Sequence, residues 1–358
     1  MTDTLPVAAK VAEDHGRSPA QRQTRRRSVT IAQLAEQSGL STTTVSRVLN
    51  GRPDVSASSR ALIEELIARH GYRKRASWSS DVPPLIDVVF ERFDSPWAIE
   101  VARGALSAAQ QNGLGVALTE LSEARERSWW LDNVIMRGTR GVILVLSELA
   151  PLQRGKLVAH RVPFVVIDPS GEPAPEVHSV GATNWAGGLA ATKHLIDLGH
   201  RRIGTITGPS DLLCSRARLD GYHAALGMAG LPVDEQLERE GDFHVEGGYR
   251  QAKALLELDQ PPTAIFAAND LSALGVIRAA REVRVRVPEQ LSVVGFDDLP
   301  LAEWTTPALT TVRQPLTEMA GVAVRTLLNS AETTGAPKHR VELATDLVLR
   351  ESTAPPSR

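Results

Sequence analysis

Seven short apolar runs punctuate this chain beyond residue 84: Leu85–Phe90, Val116–Leu121, Val142–Leu146, Phe164–Asp168, Ile203–Thr207, Ala264–Ala268 and Leu291–Gly295. Each is continuous rather than alternating in polarity, so each predicts a strand buried on both faces. Helical stretches separate them. A helix between successive strands imposes right-handed βαβ units and parallel sheets, and the repeated alternation is that of a doubly wound α/β fold. With 358 residues, 42% of them apolar, the chain can bury the cores of two or three domains. Two doubly wound halves are expected, the first over 85–183 and the second beginning near Ala186.

Ahead of these runs lies a segment of another kind, Thr30 to Asn50 (TIAQLAEQSGLSTTTVSRVLN). Thr30 is a good helix N-cap, and a first helix is predicted over about Ile31–Gln37. Ala35 keeps the crossing of a second helix close. Gly39 supplies a left-handed turn that a side chain would resist. Ser41 caps the second helix, and Val45 fills the junction. A third helix fits Ser56–His70 and ends at Gly71. Ile31, Leu34, Val45, Val48, Leu62 and Leu66 form the expected core. The exposed face of the second helix then shows Thr42, Thr43, Ser46 and Arg47. Hydroxyls can bond base edges or phosphates, threonine methyls can touch thymine methyls, and an arginine can fork onto guanine O6 and N7. Threonine is a mediocre helix former, so three in a row call for a reason beyond folding.

Charge supports a polyanionic partner for this head alone. The chain carries −2 overall, yet Arg22–Arg75 holds 11 Lys/Arg against 4 Asp/Glu, a net +7, which leaves −9 on the remainder. Residues 1–27 are polar, without an apolar signal core, and are expected to be a disordered arm. No run reaches the ~18 apolar residues of a spanning helix. A soluble, cytoplasmic (nucleoid-associated) protein is expected. The single cysteine, Cys214, excludes a disulfide framework and a cysteine metal site.

Thr42-Thr-Thr-Val-Ser-Arg-Val-Leu-Asn50, followed by Val55-Ser56 and Gly71-Tyr72, closely resembles the head of the LacI/GalR repressor family, and the resemblance runs on over roughly residues 28–352. It implies an all-α helix-turn-helix head plus an α/β periplasmic-binding-protein-like body of two doubly wound subdomains. The resulting organisation is an arm (1–27), a DNA-binding head (28–72), a hinge (73–84), a body (85–352) and a tail (353–358). Three crossovers would divide the body into one subdomain of 85–183 and 315–344 and another of 184–314 and 345–352. DNA contacts are expected from Thr30, Ser41, Thr42, Thr43, Thr44, Ser46, Arg47, Asn50, Arg73, Lys74 and Arg75. The hinge departs from the family: it is four or five residues short and lacks the leucine that wedges the minor groove. Trp78 is either the substitute wedge or a residue packed on the body.

Ligands in open α/β sheets sit at the carboxyl ends of strands. There the body places Asp94 and Trp97 after the first run, Asp168 after the fourth, Arg218 in the stretch after Ile203–Thr207, Asn269 after the sixth and Asp297 after the seventh. Gln314 stands at the expected crossover. Arg218, Phe243, Asn269 and Asp297 match the family's effector positions. Carboxylates and amides grip sugar hydroxyls, arginine donates in pairs, and aromatic faces cover the C–H side of a ring. Asp270 reads as a helix N-cap, His194 and His200 as surface or boundary residues, and Cys214 as buried filler or a pocket residue.

No Walker A motif, GxGxxG after a strand or GxSxG elbow is present, and no nucleophile stands with a base. No enzyme, cofactor or metal is expected. Two readings come from other classes: a transporter's sugar-binding protein, which would need a signal peptide and has no use for residues 28–75, and an α/β enzyme, which product in a turnover screen on sugars and nucleotides would favour. The expected protein is a homodimeric repressor that binds palindromic double-stranded operator DNA under the control of a small sugar. The wording around Ser95-Pro-Trp97-Ala98 and Thr311–Met319 resembles members linked to xylose or xylo-oligosaccharide use.

Overall fold

The computed structural model describes residues 31–49, 55–70, 83–121, 126–147, 149–332 and 339–357. Thr30, Asn50, Arg73, Lys74 and Arg75, the arm and the Trp78 hinge lie outside the described residues, as does the side chain of Ile31. The chain divides into two compact units, Met1–Ser77 and Trp78–Arg358.

In the first unit, helix α1 (Ile31–Ser38) is followed by α2 (Thr42–Leu49) and α3 (Ala57–His70). Gly39 ends α1 with φ +66°. Its N–H donates to Glu36 O (3.4 Å) and the Leu40 N–H to Ala35 O (3.2 Å). These are the two bonds of a Schellman cap, which needs a left-handed residue at that position. Ser41 Oγ accepts the Thr44 N–H at 3.1 Å, and Ser56 Oγ accepts the Ser59 N–H at 3.2 Å. Leu34, Ala35, Val45, Val48, Ile63 and Leu66 form the core. Leu62, expected there, is 41% exposed, whereas Ile63 is fully buried. On a helix of 3.6 residues per turn, Ile63, Leu66 and Ile67 share a face, and Leu62 is rotated about 100° off it.

The second unit holds two six-stranded sheets. The first is built from β1 (Leu85–Phe90), β2 (Gly115–Glu120), β3 (Val142–Val145), β4 (Phe164–Ile167), β5 (His178–Ala182) and β11 (Arg340–Leu343), in the order β11-β5-β4-β3-β1-β2. Every pairing in it is parallel. The second contains β6 (Ile203–Thr207), β7 (Glu238–Glu240), β8 (Ala264–Ala267), β9 (Ser292–Asp297), β10 (Thr310–Arg313) and β12 (Asp346–Val348), in the order β12-β10-β9-β8-β6-β7. Only the β10–β12 pairing is antiparallel. Helices α4 (Pro96–Gln111), α5 (Glu126–Arg137), α6 (Pro151–Ala159) and α12 (Leu316–Glu332) accompany the first sheet. Helices α7 (Asn184–Asp197), α8 (Leu213–Met228), α9 (Val245–Leu256), α10 (Asp270–Glu282) and the short α11 (Leu301–Trp304) accompany the second.

The chain passes between the sheets three times: from β5 into α7, from β10 into α12, and from β11 into β12. The middle passage is held by packing, for Leu316, Met319, Ala320, Ala323 and Val324 of α12 share one core with Trp97, Ala98, Val101 and Ala105 of α4. The first and third are tied together. Thr183 N donates to Leu343 O (2.9 Å), and Thr345 N donates to Thr183 Oγ1 (3.0 Å).

Two sequence expectations are corrected here. His200, expected to be a surface or boundary residue, is 2% exposed: its Nδ1 lies 2.9 Å from Thr263 Oγ1 and its Nε2 3.0 Å from Ser292 Oγ. Residues 353 and 354, expected to be tail, are bonded into the second sheet's layer. The Ala354 N–H donates to Ser292 Oγ (3.0 Å), and Thr353 Oγ1 is 3.0 Å from His194 Nε2. The polar groups at the end of that sheet need partners once buried, and the terminal residues supply them.

Candidate ligand cleft and nucleic-acid interface

At the carboxyl ends of both sheets lies a cleft of about 410 Å³. Asp94, Trp97, Asp168, Arg218, Phe243, Asn269 and Asp297 line it, joined by Leu146, Cys214 and Asp242. Gln314 does not. It is 3% exposed and sits behind Asp297, to which its Nε2 donates at 2.6 Å. The parallel pairing of β10 with β9 sets Arg313 beside Asp297, so the next residue turns its amide onto that carboxylate rather than into the cleft.

Arg218 is the centre of the site. It lies in the second turn of α8 and is 3% exposed. Its Nε donates to Asn184 Oδ1 (2.8 Å) and an Nη to the Ala268 carbonyl. The guanidinium carbon stands 3.8 Å from the centre of the Phe296 ring and 5.8 Å from that of Phe243, a cation–π arrangement. The position of α8 is fixed by bare backbone. A Cβ on Gly188 of α7 would lie 2.3 Å from Arg218 O, and one on Gly221 2.2 Å from Trp185 O. Only glycines let the two helices meet this closely.

Two carboxylates face Arg218, one from each sheet. Asp168 follows β4, and Asp297 ends β9 with Oδ1 3.8 Å from the guanidinium. Burial pushes Asp168 up to about 6, against the pull of Arg218 and of the Ala182 N–H. Burial likewise pushes Asp297 up to about 7, opposed by Arg218 and Gln314 and reinforced by Asp168. Behind Asp297, Asp270 is fully buried, accepts from Thr311 Oγ1 and from the Leu299 N–H (2.8 Å), and is held well above the usual carboxylate range by burial and by Asp297.

Asp270 is therefore not the cap of α10. Asn269 is: its Oδ1 accepts the Ser272 N–H (2.8 Å), while its Nδ2 donates to Phe243 O (2.9 Å) and keeps a second hydrogen for a ligand. Arg216 braces the neighbouring loop through Ser210 O and Asp211 O. Asp94 stands at the rim, where it accepts from Arg92 Nε at 2.9 Å.

Backbone strain gathers here too. Among the described residues, seven other than glycine have positive φ; four of them, Leu146 (+49°), Asp168 (+44°), Phe243 (+64°) and Asp297 (+113°), line the cleft, and Asp298 (+56°) follows. Such conformations cost on the order of 1–3 kcal/mol each and persist where a ligand site needs its side chains aimed. Two acceptors, a bidentate donor, a spare amide hydrogen and aromatic faces suit a neutral polyhydroxylated ring. Asn184 was missed from sequence because β5, which leads to it, carries no apolar run.

In the head, Thr42, Thr43 and Arg47 are exposed on α2, and Ser46 is half-buried. The hydroxyls of Ser41 and Thr44 bond one another at 2.9 Å, as part of the cap. Among the described residues no His/Cys/Asp/Glu group could hold a metal ion, and no helix is long and apolar enough to cross a membrane.

Comparison with known proteins places both units. The profile of bacterial regulatory proteins of the lacI family matches residues 30–74, and that of the periplasmic binding protein-like domain matches residues 192–353. The chain is 34% identical over 334 residues to the HTH-type transcriptional regulator MalR of Streptomyces coelicolor, covering 90% of this chain and 96% of that protein. Among solved structures it is similar to a transcriptional regulator CelR–cellobiose complex, at 33% identity and TM-score 0.70 over 90% of this chain and 99% of that one. It is also similar to a lac repressor dimer bound to operator and the anti-inducer ONPF, at 28% identity and TM-score 0.67 over 92% and 100%.

Proposed function

This chain belongs to the LacI family of transcriptional regulators, DNA-binding proteins rather than enzymes, and we propose that it is a homodimeric repressor whose hold on operator DNA is set by a small sugar bound at Arg218. Two heads, each spanning residues 28–72, read the halves of a palindromic site in the cytoplasm, as a two-fold dimer matches a two-fold operator. Thr42, Thr43, Ser46 and Arg47 face the bases. Thr30, Asn50, Arg73, Lys74 and Arg75 add phosphate contacts, and Ser41 and Thr44 set the pitch of the reading helix. The solved relatives that hold cellobiose, in one case, and operator, in the other, support both parts of this reading.

One observation carries the sugar assignment: Asp168 and Asp297 come from different sheets and converge on one buried arginine. A ligand that engages both carboxylates favours one relative position of the two halves of the body, 85–183 with 315–344 and 184–314 with 345–352. That preference is what an effector needs in order to act on the heads. Phe243 and Trp97 cover the ring, Asn269 donates its free amide hydrogen, Asp94 closes the rim and Gln314 holds Asp297 in place. Xylose and xylo-oligosaccharides are the first candidates, on the wording around Ser95–Ala98 and Thr311–Met319.

A thermal-shift screen of the full chain against mono- and disaccharides tests the ligand class, paired with a gel shift on the gene's own upstream DNA. A sugar hit that also alters retardation is expected. Stabilisation by nucleotides or amino acids, with no response to any sugar, would replace the assignment.

A further inference from the structure

Beside the cleft lies a second cavity of about 280 Å³, and Asp168 and Cys214 line both. The sheet order sets them side by side. The first cleft crosses the carboxyl ends of β1, β3 and β4, whereas the second runs along β5 and β11, the next two strands in the same sheet, from Thr183 and Glu342 back to Ser179 and Arg340 near their amino ends. Two further strands extend the floor by about 10 Å.

This second stretch carries its own polar and aromatic groups. Ser179 of β5 and Arg340 of β11 are register partners and both line it. The Ser179 hydroxyl, in a residue 2% exposed, has no hydrogen-bond partner among the described residues. A buried hydroxyl left unmatched costs stability that a ligand can restore. Gly181 lines it too, and a Cβ there would lie 3.3 Å from Asp168 Oδ1, so bare backbone leaves room beside the carboxylate that the two cavities share. Trp185, at the start of α7, lines the cavity while 45% exposed. Such an aromatic can cover the C–H face of a ring whose other side stays wet. Arg340, 2.8 Å from Glu172 and 3.4 Å from Glu342, marks the outer rim.

Building on the sugar reading above, we propose that the cavity bounded by Asp168, Ser179, Trp185 and Arg340 is a second subsite, so that the effector is a linked pair of sugar rings, one at Arg218 and the next on Trp185. Asp168 lies at the junction and accepts from hydroxyls of both rings. A single ring fills only the first site and leaves Ser179 unmatched.

Calorimetry on the full chain with xylose, xylobiose, glucose and cellobiose tests this. One disaccharide is expected to bind at least tenfold more tightly than its monosaccharide, at one molecule per chain. Trp185→Ala is expected to erase that advantage while the weaker monosaccharide affinity stays as it was. Ser179→Ala breaks no existing hydrogen bond, so its fold is secure, and it is expected to cost the disaccharide threefold or more. Equal affinity for one ring and two, or an advantage that survives both variants, would overturn the subsite and leave the Arg218 assignment standing. A Trp185→Ala chain that loses both sugars equally would show a structural role instead and also overturn it. If none of the four sugars binds, nor any mono- or disaccharide of the thermal-shift screen, the sugar reading itself falls, and the subsite with it.

Discussion

Asp297 Oδ1 stands 3.8 Å from a guanidinium nitrogen of Arg218, with both side chains all but sealed from water at 3% and 4% exposure. The separation is wide for a buried ion pair. Two of the guanidinium's hydrogen bonds instead go to neutral acceptors, Asn184 and Ala268 O. The pair is thus poised rather than closed. A hydroxyl placed between the two groups could accept from one and donate to the other, which is how an uncharged sugar gains from a charged site.

Removing the cation should strand both carboxylates. Arg218→Met keeps the packing of the aliphatic stem and loses every donor. Truncating one member of a buried charge cluster typically costs about 2–5 kcal/mol of binding. Sugar affinity is expected to fall by two orders of magnitude or more, while operator binding persists without response to sugar. Calorimetry and a gel shift on the same preparation check this, and a variant still released by sugar would contradict it.

Acidity should act through the same residues. Burial holds the Asp297 carboxyl at about 7 in the folded chain, against about 4 for a free aspartate. Between those values the folded chain holds the extra proton, so the contribution of Asp297 to stability is fully present below about pH 4 and fades as pH rises through 7. His194 and His200, held below the usual histidine range mainly by burial, work in the opposite direction near neutrality. They are unchanged in Asp297→Asn, so the difference between the two proteins reports Asp297 together with the buried carboxyls coupled to it, Asp168 and Asp270. From pH 5 to 7.5 the wild-type Tm should drop relative to that of Asp297→Asn. Parallel Tm curves would refute the assignment.

Gly188 offers a test at a distance from the ligand. A methyl there would meet the Arg218 backbone at 2.3 Å, and backbone cannot swing aside. Gly188→Ala should separate α7 from α8, cost about 1–3 kcal/mol or more, and weaken sugar binding although Gly188 does not line the cleft. Gly227→Ala, on α8 with nothing within 4 Å, should be neutral or stabilising by up to about 1 kcal/mol. Thermal unfolding and calorimetry of both variants separate helix packing from helix propensity.

Arg47→Ala addresses the head. Loss of a forked contact to guanine should remove roughly 1–3 kcal/mol of discrimination and leave sugar affinity unchanged. Competition between operator and random duplex, at fixed salt, gives the ratio. An unchanged ratio would take Arg47 out of the reading set.

Legibility from sequence followed burial. Strands β1, β3, β4, β6, β8 and β9 announce themselves as apolar runs because both their faces are covered; β2, read from the run Val116–Leu121 as buried on both faces, is instead an edge strand with Leu118 50% exposed. The strands missed lie at edges or passages. Arg340-Val-Glu-Leu343 alternates, and Glu238-Arg-Glu240 has no apolar residue at all. What makes them strands is pairing with a neighbour, which composition does not record. In the head the helices were legible but the phase of α3 was not, since Leu62 and Ile63 are chemically equivalent and only the crossing helices choose Ile63. Asn269 and Asp270 were exchanged for a similar reason: either can cap, and the burial that fixes Asp270 against Thr311 and Leu299 is tertiary. Cleft residues at strand ends were readable because the fold puts ligands there, whereas Gln314 points the other way for reasons of local strand pairing.

Cleft and operator should act on one another reciprocally. The direct measurement is fluorescence anisotropy of the labelled upstream duplex titrated with the full chain, without sugar and with saturating sugar, alongside calorimetry of that sugar with and without DNA. Linkage requires the two affinity ratios to be equal, and the expected factor is at least tenfold, abolished in Arg218→Met. A sugar that binds the cleft tightly while the duplex affinity stays constant would contradict the account.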